Sequence, residues 1–277
     1  NITVGSGGVA IYAAEGSNIT ELGTLNLGSD GIGIMADGTS TIADTANSVV
    51  LNSVGTIVDT NGKIGIFYKG SAAGGDSPKT IGINIDASGL AKGTAVYVQD
   101  MTVNSSGNLN VGKEGIGIFV AKKDAGAAIG TNNGIIDLGA SEKAIGMYGK
   151  NTSVSNETDD GIINIKHSSQ IGIYADGDAG KVTNTGKINL KVDDATGIYV
   201  SNKATADISG NNIKFDGKLS IGVYAEGAKV NFTDTFTFQN DNANKNIYVY
   251  GKGSTVGIAS GKIVTIDGET TGVLGDK

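Results

Sequence analysis

The stretch Ile171-Gly172-Ile173-Tyr174-Ala175-Asp176-Gly177 recurs, with variations, along the whole chain. In the clearest copies an apolar residue, a glycine, a second apolar residue and an aromatic residue follow one another. The fourth positions of the copies are Tyr12, Met35, Phe67, Tyr97, Phe119, Tyr148, Tyr174, Tyr199, Tyr224, Tyr250 and Leu274. Their spacing runs from 22 residues (Tyr97 to Phe119) to 32 residues (Met35 to Phe67). Such a period is typical of stacked repeats.

Each repeat divides into three short strand-like pieces. The first usually ends at a charged residue and a glycine, as in Asp176-Gly177, where glycine permits the positive φ of a tight turn. A variable piece follows, such as Lys181-Val182-Thr183, and then an apolar–polar–apolar piece such as Ile188-Asn189-Leu190. No segment has helical periodicity. The pattern therefore predicts an all-β, single-stranded, right-handed parallel β-helix (solenoid) of about eleven coils, with roughly 25 residues and three short strands per coil.

The alternation of side chains along a strand predicts which residues face the core. We expect Ile171, Ile173 and Ala175 to point inward, since burying an isoleucine is worth about 1.5–3 kcal/mol. Gly172 and Tyr174 are then expected to point outward. The same argument predicts an outward polar column on the third strands, formed by Asn26, Asn110, Asp137, Asn164 and Asn189.

Residues 1–277 are expected to form one continuous β-helix segment of a longer repeat array, because the chain begins and ends within repeats. The two widest spacings predict longer loops, which we place near residues 45–52 and 70–79. The second contains Pro78, and proline is expected outside a strand because it cannot donate to the strand ladder.

Composition limits the classes of function. The formal net charge of −7 and the absence of arginine disfavour a nucleic-acid partner, since phosphate contacts need clustered basic residues. The absence of cysteine removes disulfides, thiolate nucleophiles and thiolate metal sites. No apolar run approaches the ~20 residues of a membrane helix.

Few residues stand out as chemical groups. The pairs Asp159-Asp160 and Asp193-Asp194 offer the oxygen ligands that Ca²⁺ prefers, and solvated turns are the alternative interpretation. The single histidine, His167, is interpreted as a surface residue, because nothing in the sequence supports a Ser-His-Asp triad around it. We therefore expect a non-enzymatic chain with no catalytic residue, no cofactor and no metal site.

The aromatic residues at the fourth repeat position predict an ordered column. From Tyr148 to Tyr250 the repeats have nearly equal lengths, so loops are short and the rings are expected about 4.8 Å apart. One interpretation is that the rings shield a neighbouring glycine column; the other, compatible with it, is a platform for sugars or a protein partner. The candidate partner-binding face consists of Tyr148, Tyr174, Tyr199, Tyr224 and Tyr250.

The strings Gly31–Ala36, Ile171–Ala175 and Asn184–Leu190 resemble the passenger repeats of large bacterial autotransporter adhesins, the type V secretion proteins, and most closely those of the Fusobacterium type. The resemblance covers essentially the whole chain. It implies a secreted β-helical stalk or binding face at the bacterial cell surface, which attaches to a protein or glycan receptor on another cell without catalysis. It also implies anchoring to the outer membrane only through a C-terminal β-barrel that this sequence does not include. The family motifs give no residue-level binding site.

Two alternatives stay open. A carbohydrate-active β-helix, such as a polysaccharide lyase or a tailspike-like glycosidase, places carboxylates and often basic residues in one groove interrupted by long loops. The short turns and the absence of arginine count against it. The other alternative is a purely structural spacer that binds no ligand.

Overall fold

The computed structural model consists of short β-strands joined by turns. It describes residues 1–20, 22–42, 48–53, 63–124, 127–139, 143–157, 160–209, 212–239, 245–267 and 273–276. No α-helix occurs within these ranges, so none of the described segments is a helix that could cross a membrane. Strands pair in parallel with the equivalent strands of the neighbouring coils. The predicted all-β parallel β-helix is therefore confirmed.

Three long sheets run along the solenoid, one for each strand-like piece of the repeat. Sheet A contains β1 (Ile2–Val4), β4 (Thr24–Leu27), β7 (Ser48–Ser53), β10 (Asn84–Gly89), β13 (Leu109–Val111), β16 (Ile135–Leu138), β19 (Ile162–Ile165), β22 (Lys187–Leu190) and β25 (Ile213–Phe215). Sheet B contains β2 (Val9–Ala13), β5 (Ile32–Asp37), β8 (Ile64–Lys69), β11 (Thr94–Gln99), β14 (Ile116–Ala121), β17 (Ile145–Lys150), β20 (Ile171–Asp176), β23 (Thr196–Ser201), β26 (Ile221–Glu226), β29 (Ile247–Lys252) and β32 (Val273–Asp276). Sheet C contains β9 (Lys79–Ile81), β12 (Thr102–Ser105), β15 (Ile129–Asn132), β18 (Ser153–Asn156), β21 (Lys181–Asn184), β24 (Thr205–Ile208), β27 (Lys229–Phe232) and β30 (Thr255–Ile258).

The coil count differs slightly from the eleven repeats read in the sequence. The solenoid has about 9 turns of ~26 residues each. Every repeat contributes a strand to sheet B, which is 11-stranded, but the outer repeats do not contribute to all three long sheets. Their remaining strands form two short sheets, β3 (Asn18–Ile19) with β6 (Thr41–Ile42) and β28 (Phe236–Gln239) with β31 (Val264–Asp267).

The core is a stack of apolar layers. In the coil formed by β20, β21 and β22, the fully buried apolar side chains are Ile173 and Ala175 from sheet B, Val182 from sheet C, and Ile188 and Leu190 from sheet A. One coil encloses too little space to bury these side chains alone, so each layer is covered by the layers above and below it. Stability therefore depends on contacts between neighbouring coils.

The predicted facing of the first strand is wrong at its first two residues. Ile171 is half-buried on the outer side, whereas Gly172 is buried and directed inward. A Cβ on Gly172 would lie 2.5 Å from the carbonyl oxygen of Gly197 and 3.3 Å from the buried Ile188 side chain. Tyr248, which occupies the same column in β29, likewise turns its ring into the core. The strict alternation fails because two consecutive residues of each strand, at the second and third repeat positions, are on the inner side.

The two predicted loops have different outcomes. Residues 70–78, which include Pro78, contain no strand, and β9 begins at Lys79. Residues 48–52 of the other predicted loop belong to β7 instead, because Val49 and Leu51 are fully buried on the inner face of sheet A. Residues 45–47 lie outside the described ranges.

Candidate partner-binding face

The aromatic residues of the fourth repeat position form one column on the outer face of sheet B. Adjacent ring centroids are 4.7 to 5.1 Å apart from Phe67 to Tyr250, close to the strand spacing of about 4.8 Å. We call this column the aromatic ladder; its rings are those of Phe67, Tyr97, Phe119, Tyr148, Tyr174, Tyr199, Tyr224 and Tyr250. The five predicted tyrosines are therefore together on one face, and each is half-buried.

Most rings of the ladder stack face to face. The interplanar angle is 9° between Tyr148 and Tyr174 and 7° between Tyr174 and Tyr199. Neighbouring rings cover both faces of Tyr174, and only its rim is turned outward. Because stacking of a sugar requires a free aromatic face, this part of the ladder does not form the sugar platform that the sequence suggested. The rings also shield one another rather than the glycine column, since the glycines (Gly146, Gly172, Gly197 and Gly222) are buried on the inner side of the sheet.

A second outer column flanks the aromatic ladder. It consists of the half-buried residues at the first repeat position: Ile145, Ile171, Thr196, Ile221 and Ile247. This apolar flank, which Thr196 interrupts, runs beside the tyrosine rims. The largest exposed apolar patch of a monomeric protein is often a functional surface.

The ring stacking changes between Tyr199 and Tyr224. Their planes meet at 80°, edge to face, with centroids 5.0 Å apart. A recess of about 280 Å³ lies beside this junction and is lined by the two rings, Ile171 and Thr196. Threonine replaces here the isoleucine of the strands on either side, Ile171 and Ile221, and its smaller side chain leaves the space.

Polar side chains hold two of the tyrosine hydroxyls on the other side of the ladder. The hydroxyls of Tyr174 and Ser201 are 3.2 Å apart, and the Tyr199 hydroxyl donates to Glu226 at 3.0 Å. Lys252 Nζ lies 2.9 Å from the other oxygen of Glu226. Burial, together with the hydrogen bond to Glu226 and its negative charge, raises the pKa of Tyr199. The hydrogen bonds from Lys252 and Tyr199 lower the pKa of Glu226, whose carboxylate in turn raises the pKa of Lys252. This edge therefore presents neutral phenols beside an ion pair.

None of the remaining chemical candidates belongs to the aromatic ladder. His167 is half-buried in the turn after β19, with Nδ1 2.8 Å from the carbonyl oxygen of the next residue. Asp193 and Asp194 are exposed, and Asp193 accepts a backbone N–H from the next coil at 2.8 Å. Asp160 is exposed, and Asp159 lies outside the described residues. Among the residues that the structure describes, no group of three or more His, Cys, Asp or Glu could hold a metal ion.

A buried asparagine ladder crosses the ends of β15, β18 and β21, and the sequence interpretation did not include it. Asn132 donates to Asn156 at 2.8 Å, and Asn156 donates to Asn184 at 2.9 Å. All three are fully buried, and Ile208 and Phe232 occupy the same column in the next coils. A signal was present, since asparagine recurs at one repeat position in three successive coils. Strand alternation assigns these asparagines to the inner side, but a polar side chain is ordinarily expected on the outer side.

Fold and face together define a β-solenoid repeat protein with an ordered aromatic ladder along one outer surface. Comparisons with protein-family models, with curated proteins and with solved structures find no significant match for the chain.

Proposed function

We propose that this chain is a non-catalytic segment of a bacterial surface protein that attaches the cell to another cell. In this proposal the outer face of sheet B, from β17 to β29, contacts a protein on the partner cell. The observation that carries the proposal is the aromatic ladder with its apolar flank, a rigid amphipathic strip of tyrosine rims and aliphatic side chains. The resemblance of the repeats to adhesin passenger repeats supports the location at the bacterial cell surface.

The chemistry of the strip favours a protein over a glycan on this face. Stacking covers the ring faces that a sugar would need, but it leaves rims and methyl groups that pack well against apolar side chains. The neighbouring outer column carries charges of both signs, in the order Lys150, Asp176, Ser201, Glu226 and Lys252. An apolar centre with a polar border is the usual organisation of protein interfaces, where tyrosine is enriched.

The area of the strip indicates how strongly a partner would bind to it. Five coils span about 20 Å along the solenoid, and six residues of each strand span about 17 Å across it. The resulting area of roughly 340 Å² is below the ~800 Å² per partner of a standard interface. A partner on this strip alone would bind weakly, so we expect attachment to depend on many copies acting together.

Cell binding by two matched variants tests the proposal. The first replaces Tyr174, Tyr199 and Tyr224 by threonine, which keeps a strand-forming residue at each position. The control replaces Phe67, Tyr97 and Phe119 by threonine, which removes three rings from the other half of the same ladder. Binding of the fluorescently labelled chain to bacterial and host cells is measured by flow cytometry, before and after protease treatment of the cells. Far-UV circular dichroism checks that both variants are folded.

We expect the first variant to lose the part of the cell binding that protease treatment of the target cells abolishes, and the control to retain it. Full binding by a folded first variant would contradict the proposed contact face, because the chain would then bind through another surface, whereas no cell binding by the unmodified chain would favour the structural-spacer alternative. Binding that survives protease, is lost after glycan removal and is also lost in the first variant would replace the protein partner of this face by a carbohydrate.

A further inference from the structure

A recess of about 340 Å³ lies on the outer face of sheet A, away from the aromatic ladder. It covers the strands β10, β13 and β16. The side chains that line it include Asn84, Asp86, Asn108, Asn110, Ile135 and Asp137. In the strand register Asp86, Asn110 and Asp137 follow one another in one outer column, so the two carboxylates are separated by two strand spacings, about 10 Å.

Side-chain hydrogen bonds run along the C-terminal part of the polar column. Asn189 donates to Asn164 at 2.9 Å, and Asn164 donates to Asp137 at 2.7 Å. Lys166 adds an ion pair with Asp137 at 3.1 Å. From Asp137 onward, the amides and the carboxylate of the column are therefore bonded to one another or to Lys166.

The part of the column inside the recess remains open. The side chain of Asn110 is exposed and makes no hydrogen bond to another residue that the structure describes. Asp86 uses one carboxylate oxygen to accept from the backbone and hydroxyl of Ser88, at 3.1 and 2.6 Å. The Asn108 backbone N–H donates to Asn84 Oδ1 at 2.9 Å, and the side-chain amide of Asn108 is exposed. Side-chain amides and carboxylates that can donate or accept hydrogen bonds are therefore about one strand spacing apart along the recess.

The amides and carboxylates of the recess favour one class of ligand over others. Amides and carboxylates recognise the directional hydroxyl groups of a sugar, and the aliphatic side chain of Ile135 offers a surface for its C–H groups. A single cation would not bridge Asp86 and Asp137 at a distance of about 10 Å, because Ca²⁺ ligands lie at about 2.3–2.6 Å. An extended peptide is disfavoured because it binds at a sheet edge, whereas β13 is already paired with strands on both sides. The carboxylates also disfavour an acidic glycan.

We propose that this recess binds a neutral oligosaccharide, with Asn110 and Asn108 as the principal hydrogen-bonding residues. The ligand lies along the solenoid axis, and its hydroxyl groups bond to side chains of successive coils. This site is on a different sheet from the protein-contact face proposed above. The inference therefore does not depend on that function, and a folded chain could pass one test and fail the other.

A glycan array carrying neutral, amino-substituted and acidic oligosaccharides, followed by calorimetric titration of the neutral glycan that binds best, tests this inference. The Asn110→Ala variant should weaken that binding by about tenfold, the loss expected for one or two hydrogen bonds to an uncharged ligand. The Asn108→Ala/Asn110→Ala double variant should show no measurable binding. Asn189→Ala is the matched control, because Asn189 is in the same column but outside the recess, and it should bind as the unmodified chain does.

Each contrary outcome is decisive once circular dichroism shows that the variants are folded. Absence of neutral glycans among the bound ligands, or a preference for acidic ones, would overturn the proposal. Equal affinity of the Asn110→Ala variant and the unmodified chain would also overturn it, since the glycan would then bind elsewhere.

Discussion

Glycine at the second repeat position is required by the close approach of neighbouring coils. Gly146, Gly172 and Gly197 each face the carbonyl oxygen of the following coil, and an added Cβ would lie 2.5, 2.5 and 2.6 Å from it. Substitution there therefore forces two strands apart. Ala95 and Tyr248 show that single coils accommodate a side chain in this column where the surrounding packing differs.

Gly172→Val should destabilise the chain by about 2–3 kcal/mol, because the inner side of β20 has no space for three more carbon atoms. Gly257→Ala is the control, since the nearest atom to a Cβ at that position is at 3.5 Å, an ordinary contact. Its effect should be close to zero or slightly stabilising, because glycine weakens a strand. Thermal unfolding monitored by circular dichroism compares the two, and equal melting temperatures would show that the column does not require glycine.

The hydrogen bonds of the Asp37 carboxylate predict that the fold becomes less stable in acid. This carboxylate accepts hydrogen bonds from the Glu15 N–H at 3.0 Å, from the Thr39 hydroxyl at 2.7 Å and from the Ser40 hydroxyl at 2.7 Å. Burial alone would raise the pKa of Asp37, but these bonds together hold it well below its usual range. Because the folded pKa is below the unfolded value of about 3.9, the carboxylate stabilises the fold above about pH 4, and this contribution is lost as the pH falls toward the folded pKa.

Asp37→Asn should therefore lower the melting temperature at neutral pH, by an amount equivalent to about 1 kcal/mol, and the difference from the unmodified chain should shrink below about pH 4. The control is Asp178→Asn, since Asp178 forms only an exposed ion pair with Lys203 and should matter little at any pH. A difference between Asp37→Asn and the unmodified chain that stays constant through the acid range would contradict the assignment.

At the scale of the strand, polarity and alternation predict the direction of Ile173 and Tyr174 correctly. They fail at Ile171, which both assign to the inner side, because two consecutive residues of the strand lie on the inner side and shift the alternation. The prediction fails at Gly172, because a residue without a side chain carries no information about direction. The sequence alone makes no prediction for Asn156, because burial of an amide has to be compensated by partners that only the stacking of coils supplies.

Asn156→Ala should be one of the more damaging substitutions of a polar residue in this chain. It removes the middle of the buried asparagine ladder, so that Asn132 loses an acceptor and Asn184 loses a donor. Loss of buried hydrogen bonds together with the missing volume should cost about 2–4 kcal/mol. Asn189→Ala breaks a similar bond on the outer face, where water replaces the lost partner, and should cost about 1 kcal/mol or less. Chemical unfolding of the two variants measures the difference, and equal losses would mean that burial of the inner ladder has no energetic consequence.

At the scale of the whole molecule, the repeat period alone predicts the architecture. Spacing and alternation predict three parallel sheets, and the strand order confirms this for the coils that begin with β17, β20 and β23, each of which supplies one strand to each sheet. The candidate face is predicted in part: the five tyrosines are aligned as expected, but the stacking of their rings depends on side-chain rotamers that no sequence period specifies. The recess on sheet A is likewise not predicted, since it depends on which amides of the outer column remain unbonded.

Ile173→Asp tests whether the solenoid behaves as a one-dimensional stack. Ile173 is fully buried, and no cation on the inner side of this coil would pair with a carboxylate, so the substitution should cost several kcal/mol. Because each coil contacts only its neighbours, hydrogen exchange should accelerate in β20 and in the adjacent strands β17 and β23, while β8 and β11 keep their protection. Ser153→Asp, on the outer face beside Lys181, is the control and should leave the exchange pattern unchanged. Uniform loss of protection in every coil of the Ile173→Asp variant would instead indicate that the whole array unfolds as one cooperative unit, and nearest-neighbour stacking would not describe its stability.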